Sequence, residues 1–391
     1  MNTLQQRYST SLGLLTDLYQ LTTAYGYWKS GKYREEAVFY CFLKDLPFGG
    51  DYAIVCGLQD LVEHFNNFGF STDDVHFLAT LIGTDGKAIF NESFLNYLQR
   101  LEFKCNVDAI PEGTLVFDHM PLLRIKGPII QVQLLESIVL NIMNFQTLIA
   151  SKATRIKAAA GTDKVMDISS SFLPSFEAAL AASRAAYIGG FNYTANLQAG
   201  KILGIPLNDI MSVRWIKGFS TDEAAFEAYA AAMPNHCILY ADSMDSVNKA
   251  IRIGEKLREK GFEMKGICLE GTDIANMSRE ARKLLDNTAL QKTLIIAGAG
   301  GNQDEYQIAD EKEGGARVDL WAVSFNSTKL FEHSALGVYP VLKTEFDYGL
   351  NDTLLCPIFK GGKQIYTKPL LSEIKLHCQD QIENFRRSKN R

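Results

Sequence analysis

From residue 165 onward the sequence repeats one pattern, a short apolar run followed by a longer stretch with helical spacing, and this limits the fold more than any other feature. The apolar runs cover 165–168, 237–241, 266–269, 293–297 and 318–323. The stretches expected to be helical are 183–203, 222–232, 246–260, 274–286 and 305–313. Runs this short and apolar read as strands buried on both faces, and strands separated by helices pair in parallel through crossovers. Five or more such units predict a barrel-like α/β domain rather than an open nucleotide-binding sheet.

The first part of the chain has a different grammar. Leu14, Leu15, Leu18, Leu21 and Tyr25 recur at helical spacing within 12–28, and Gly31 stops the run. Residues 37–43 read as a buried strand ended by Pro47 and Gly49-Gly50, with a helix expected over about 52–68. Short strands are expected over 113–117 and 122–125, separated by Met120-Pro121. Residues 130–159 read as a long helix with almost no charge before Lys152, which must therefore be buried. Three β-like runs within 335–366 are expected to rejoin the N-terminal part. The predicted organisation is an N-terminal α/β domain, 1–125 completed by 335–391, and a barrel-like domain over 126–334.

Composition excludes several function classes. The net charge of −5 comes from intermixed acids and bases, so no field of one sign favours nucleic acid. The seven cysteines stand singly, without a CxxC pair or a histidine at metal-ligand spacing, so reduced buried thiols and no metal site are expected. Residues 1–10 are polar and no uninterrupted apolar run reaches about 18 residues. The expectation is a cytoplasmic protein without a membrane partner.

Five blocks carry a more specific signal. They are Leu14-Leu15-Thr16-Asp17-Leu18-Tyr19-Gln20-Leu21-Thr22, Leu46-Pro47-Phe48-Gly49-Gly50 with Tyr52-Ala53-Ile54, Pro111-Glu112-Gly113-Thr114, Asn141-Ile142-Met143-Asn144-Phe145-Gln146-Thr147, and 182–191. In this order they resemble the nicotinate phosphoribosyltransferase family over nearly the whole chain. The resemblance implies a type II phosphoribosyltransferase-like pair of domains, a homodimer, and an active site near its interface. It further implies coupling of nicotinate to phosphoribosyl pyrophosphate, giving nicotinate mononucleotide and pyrophosphate, with ATP hydrolysis assisting and Mg²⁺ on the diphosphate. Asp17 and Tyr19 match positions near the family's pyridine pocket, and Lys44 stands where the family usually has arginine. Arg184 is retained, as are Thr194 and Asn196 of a Gly-Thr-Ser-Asn motif, and Asp242-Ser243-Met244-Asp245 resembles a ribose-binding turn. Asp17 and Tyr19 serve equally well as packing residues, and Asp242 or Asp245 as helix caps.

The chemistry of the family reaction needs cations or free backbone amides around its phosphates. Here the Arg-Arg pair falls on Ser171 and Phe172, and the phosphorylated histidine falls on Val213 in a strand expected over 209–214. Valine cannot carry a phosphoryl group. The Leu-Asp-Ser-Gly-Asp turn for ribose and magnesium becomes Leu269-Glu270-Gly271-Thr272-Asp273, and the Gly-Val-Gly-Thr phosphate turn becomes Ala322-Val323-Ser324-Phe325. A glycine-rich stretch with Gly298, Gly300 and Gly301 can cradle an anion or form a simple loop, and the serines at 169–171 suit an uncharged polar ligand or a solvated turn. Three readings follow: a working transferase with replaced groups, a non-catalytic paralogue binding a partner or small molecule, and an enzyme of the same fold with another substrate.

Overall fold

A computed structural model describes residues 11–298, 303–325, 336–341 and 354–389, with 336–341 by its backbone alone. The chain forms two compact units, 1–151 with 333–391, and 152–332.

The first unit opens with α1 (Leu18–Lys29), β1 (Glu36–Leu43), β2 (Ala53–Ile54), α2 (Leu58–Asn66), α3 (Thr72–Ala79) and α4 (Glu92–Gln99). It continues with β3 (Asn106–Ala109), β4 (Leu115–Val116), β5 (Pro121–Pro128) and the long helix α5 (Ile129–Ala160). The expected helix over 12–28 starts only at Leu18, because Asp17 has an extended backbone as its N-cap. The expected helix over 52–68 is a strand followed by a helix, since Gly57 turns the chain at φ +110 between Ile54 and Leu58. A Cβ at Gly57 would meet Ile142 on α5 at 3.0 Å, so helix and turn pack at glycine distance.

Late chain completes this unit with β12 (Leu336–Val341), β13 (Cys356–Lys360), β14 (Lys363–Gln364) and α13 (Leu371–Lys389). The resulting six-stranded sheet has the order β12-β1-β5-β3-β13-β14, with all its pairings antiparallel. Its core is aromatic: Phe39, Phe65, Phe90, Phe94 and Phe359 are fully buried, and Phe103 meets Phe359 edge-on at 5.3 Å. Helix α5 is apolar and long enough to cross a membrane, yet Ile130, Leu135, Val139 and Met143 are buried in this core. The units divide within α5, after Ser151, whereas the sequence placed the boundary at 125; the apolar first turns of α5 belong to the first core.

The second unit contains β6 (Lys164–Asp167), α6 (Phe176–Ile188), β7 (Tyr193–Thr194), α7 (Leu197–Leu203), α8 (Val213–Ile216), α9 (Asp222–Ala232), β8 (Ile238–Ala241) and α10 (Met244–Glu259). It ends with β9 (Gly266–Leu269), α11 (Ile274–Asn287), β10 (Leu294–Ala297), α12 (Glu305–Glu313) and β11 (Leu320–Val323). The sheet is wholly parallel in the order β7-β6-β11-β10-β9-β8. The expected helix 183–203 is two helices with a strand between them, because Gly189-Gly190 breaks it and Gly190 sits at φ +108. The expected strand 209–214 is an irregular segment followed by the four-residue α8. The chain leading into it still touches both edges of the sheet: Leu207 makes an isolated bridge with Thr194 of β7, and Met211 Sδ accepts the Tyr240 N–H of β8. Met166, Ile238, Cys268, Ile296, Leu320 and Ala322 fill the interior so enclosed.

The barrel is tied to the end of α5 by Glu305, whose buried carboxylate meets Lys152 Nζ at 2.6 Å and Arg155 Nε at 2.9 Å. Burial raises the Glu305 pKa, but the two cations outweigh it and hold the group below the ordinary range.

Candidate functional site

In a parallel α/β sheet, ligands meet the carboxyl ends of the strands, where loops and helix N-termini converge. Alternate residues of each strand face the interior, so the layer above Met166, Ile238, Cys268, Ile296 and Ala322 consists of Ile168, Tyr240, Glu270, Gly298 and Ser324. Asp242 follows on the same face. This layer is the mouth of the barrel, and it brings together four residues singled out in the sequence: Asp242, Glu270, Gly298 and Ser324.

Behind the mouth lies a buried polar hub. Asp167 ends β6, is 1% exposed, and accepts from Ser169 N–H (2.9 Å), Ser183 Oγ (2.6 Å) and Thr194 Oγ1 (2.9 Å). Ser169 Oγ in turn accepts the Phe325 N–H at 3.0 Å. Phe325 is 2% exposed and stacks on Phe191 with ring centres 5.7 Å apart. The turn after β11 is therefore anchored from behind by an aromatic pair, and its amide at 325 is already hydrogen-bonded. Thr194 is thus a partner of Asp167.

Several other candidates have local structural roles. Asn196 caps α7, accepting from Gln198 and Ala199 N–H, and Asp273 caps α11, accepting from Asn276 N–H. Neither Asp242 nor Asp245 caps α10; Ser243 does, while Asp242 accepts from Ser246 Oγ at 3.0 Å and Asp245 pairs with Lys249 at 2.6 Å. Gly298 sits at φ +94, and a Cβ there would meet the Ala322 carbonyl oxygen at 2.4 Å, so packing alone requires glycine. Gly300 and Gly301 lie outside the described residues. Ser171 is exposed on a single turn of 3-10 helix, and Arg184 is buried within α6.

Asp17, Tyr19 and Lys44 belong to the first unit, where all three are exposed. Asp17 accepts from Ser137 Oγ at 2.9 Å, and the Tyr19 ring is largely free at 58% exposure.

The electrostatics of the mouth are acidic. The described residues following β6, β8, β9, β10 and β11 include Asp242, Glu270 and Asp273 but no lysine or arginine before the next helix. Beside β9 and β10 a groove of about 750 Å³ is lined by Glu270, Asp273, Gln303, Asp310 and Glu311. The Glu311 carboxylate takes the Ile274 and Ala275 N–H groups, filling the anion-binding end of α11 with the protein's own charge.

Tyr240 is the mouth residue that sequence reasoning missed. It lies within an apolar strand, and only its spacing of two from both Ile238 and Asp242 marks it as facing the interior. Burial, then Glu270 and Asp242, push its phenol up to about 12, so the hydroxyl keeps its proton at neutral pH.

Val213, where the resemblance put the family histidine, is 39% exposed at the start of α8. His236, in the same unit, pairs with Asp209 at 2.8 Å ahead of β8.

The comparisons agree with this architecture. A family model for the nicotinate phosphoribosyltransferase N-terminal domain matches residues 14–144. Nicotinate phosphoribosyltransferase of Bacillus subtilis (strain 168) is 34% identical over 349 residues, covering 88% of this chain and 69% of the relative. Nicotinate phosphoribosyltransferase 2 of Arabidopsis thaliana is 31% identical over 386 residues, covering 83% and 68%. The crystal structure of human nicotinic acid phosphoribosyltransferase superposes with a TM-score of 0.81 at 23% identity, over 94% of this chain and 93% of that one. Nicotinate-nucleotide pyrophosphorylase from Pyrococcus furiosus gives a TM-score of 0.72 at 17% identity, over 96% of each chain. With identity above 30% along most of both sequences and the same two-unit α/β architecture, the chain belongs to the nicotinate phosphoribosyltransferase family.

Proposed function

We propose that this chain is a member of its family that no longer performs phosphoribosyl transfer and keeps the barrel mouth as a binding site for an uncharged polar small molecule. One observation carries the reading: the Phe325 amide donates to Ser169, which is itself fixed by Asp167, while the Phe325 ring is buried against Phe191. A turn anchored this way has no N–H at that position to offer a phosphate. A pyrophosphate donor would also meet Glu270, Asp242 and Asp273 without compensating lysine or arginine among the described residues at these strand ends.

The residues do not fit the cofactors that the family implies. A phosphohistidine step has no acceptor at Val213. Of the two acids in the turn expected to serve magnesium, Glu270 and Asp273, the second is engaged as the cap of α11, and the described residues contain no cluster of three or more metal-ligating side chains. In this reading the protein is a cytoplasmic homodimer, like the enzyme its resemblance implies, with a binding rather than a transferase role.

Isothermal calorimetry tests this by titrating phosphoribosyl pyrophosphate with Mg²⁺, then nicotinate, into the purified protein. Absence of heat at millimolar donor supports the reading. Tight donor binding, or formation of nicotinate mononucleotide in a parallel assay, overturns it in favour of a working transferase with replaced phosphate ligands.

A further inference from the structure

We propose that a cationic groove at the amino end of the barrel sheet, opposite the mouth, is a separate ligand site that holds the phosphate of a small phosphomonoester. The inference does not depend on how the mouth is read, because the residues involved lie at the other end of the strands.

The groove follows from the way α11, α12 and the turn into β11 meet. Helix α11 runs back along the sheet, so its second half, carrying Arg279, Arg282 and Lys283, lies at the amino end. The chain leaving α12 passes the same end before β11 begins at Leu320, and brings Lys312 and Arg317 with it. Two bonds hold these segments together: the Arg317 N–H donates to Ser278 Oγ at 2.9 Å, and the Arg279 guanidinium donates to the Gly314 carbonyl. Arg279 and Arg317 thus line one hollow of about 650 Å³, a volume typical of small-molecule sites. Strands of four residues, at about 3.3 Å each, put the mouth roughly 13 Å away.

Charge is unevenly paired within this hollow. Five of its ten lining residues are lysine or arginine and three are aspartate. Lys312 Nζ meets Asp163 at 2.6 Å, and Asp163 also accepts the Trp321 indole N–H. Arg282 holds Asp286 at 3.0 Å, stands 3.9 Å from Asp319, and donates to the Thr293 and Gln291 carbonyls. Lys283 turns to Glu280 at 2.7 Å. These three cations take up the neighbouring carboxylates. Arg279, in contrast, donates only to uncharged oxygens, the Gly314 carbonyl and, at 3.4 Å, Asn276 Oδ1. The Arg317 side chain makes no hydrogen bond or ion pair with any described residue. Two guanidinium groups therefore line the same hollow without a counter-charge, and an entering anion relieves their repulsion.

The chemistry of these groups selects the ligand class. A phosphomonoester carries nearly two negative charges at neutral pH, the complement of two arginines whose planar forks each match a pair of phosphate oxygens. A single carboxylate would leave one of them unbalanced. An extended polyanion would meet the three aspartates and a chain of net charge −5. The rest of the hollow, edged by Ala316 and Val318, leaves room for a compact organic part.

Calorimetry and phosphorus NMR on the full-length protein, at neutral pH and low salt, test this with inorganic phosphate, glucose 6-phosphate and glucose as probes. Both phosphates are expected to bind with a Kd of about 1 mM or tighter, as two charge-assisted contacts imply, and glucose not to bind. Arg317→Gln should weaken both about 10-fold or more, and leave the thermal melt unchanged because the backbone bond to Ser278 survives. Arg317→Lys keeps the charge without the fork and should fall between the two. Binding of neither phosphate at about 10 mM, or exclusion of glucose 6-phosphate while inorganic phosphate binds, overturns the inference. So does an affinity unaltered by Arg317→Gln, which would put the phosphate elsewhere in the protein.

Discussion

Replacing Phe325 with alanine tests whether the turn after β11 is held from behind, as the geometry requires. Phe325 is 2% exposed, packs on Phe191 at 5.7 Å with rings 22° apart, and follows a strand whose residues 320–323 are all buried. A buried Phe→Ala change costs about 3–5 kcal/mol through lost burial and the cavity left behind. The aromatic contact accounts for roughly 1 kcal/mol of that. The Phe325 N–H bond to Ser169 involves the backbone and survives the substitution, so the lower end, about 3 kcal/mol, is expected. With a urea dependence of about 3 kcal/mol per M, the midpoint should fall by about 1 M. Trp321, fully buried four residues earlier with its indole N–H on Asp163, provides a fluorescence signal within the same unit. Phe191→Ala should cost a comparable amount, and the double variant should be less destabilised than the sum, because the two rings share one contact. A midpoint shift below about 0.3 M for Phe325→Ala, or strict additivity with Phe191→Ala, would refute the argument that this pair anchors the turn.

Two further outcomes follow from buried charge. His64 is 1% exposed against Phe65 and Phe68, and burial lowers its pKa from 6.5 to about 4. A histidine whose folded pKa lies below its unfolded value contributes fully above about 6.5 and loses that contribution as pH falls towards 4, in total about 3 kcal/mol. Urea midpoints recorded from pH 7 to pH 4.5 should therefore decline, and His64→Phe should flatten part of that slope. Glu305→Ala leaves Lys152 and Arg155 without their shared carboxylate and should destabilise the barrel unit by about 3–5 kcal/mol, read from the same Trp321 transition. Loss of less than about 1 kcal/mol would mean that water replaces the carboxylate at no cost.

The correspondence between sequence and structure was closest where one physical rule acted alone. The strands 266–269 and 294–297 and the helices 222–232 and 305–313 are apolar runs or capped periodic segments, and they lie where their patterns put them. The patterns failed where backbone geometry overrode side-chain periodicity. Gly57 and Gly190, with their positive φ angles, divide what read as single helices, and the segment 209–214, expected as a strand from the family resemblance, forms no named strand. The helices α3 and α4 and the strand β3 went unread because their apolar positions are few and short, and become decisive only when packed on the aromatic core.

The candidate site divides along the same line. Sequence by itself determined the family and the parallel α/β unit, because these depend on residue identity and order. Only the tertiary structure decided which groups meet. It turned Asp273 and Asn196 into helix caps, joined Asp167, Ser169, Ser183, Thr194 and Phe325 into one hub, and set Tyr240 beside Glu270. Parallel strands bring residues far apart in the chain to one end of a sheet, and a strand's two-residue period sends neighbours to opposite faces. A residue's identity can be read in one dimension, whereas its hydrogen-bond partner is fixed by register between strands separated by whole helices.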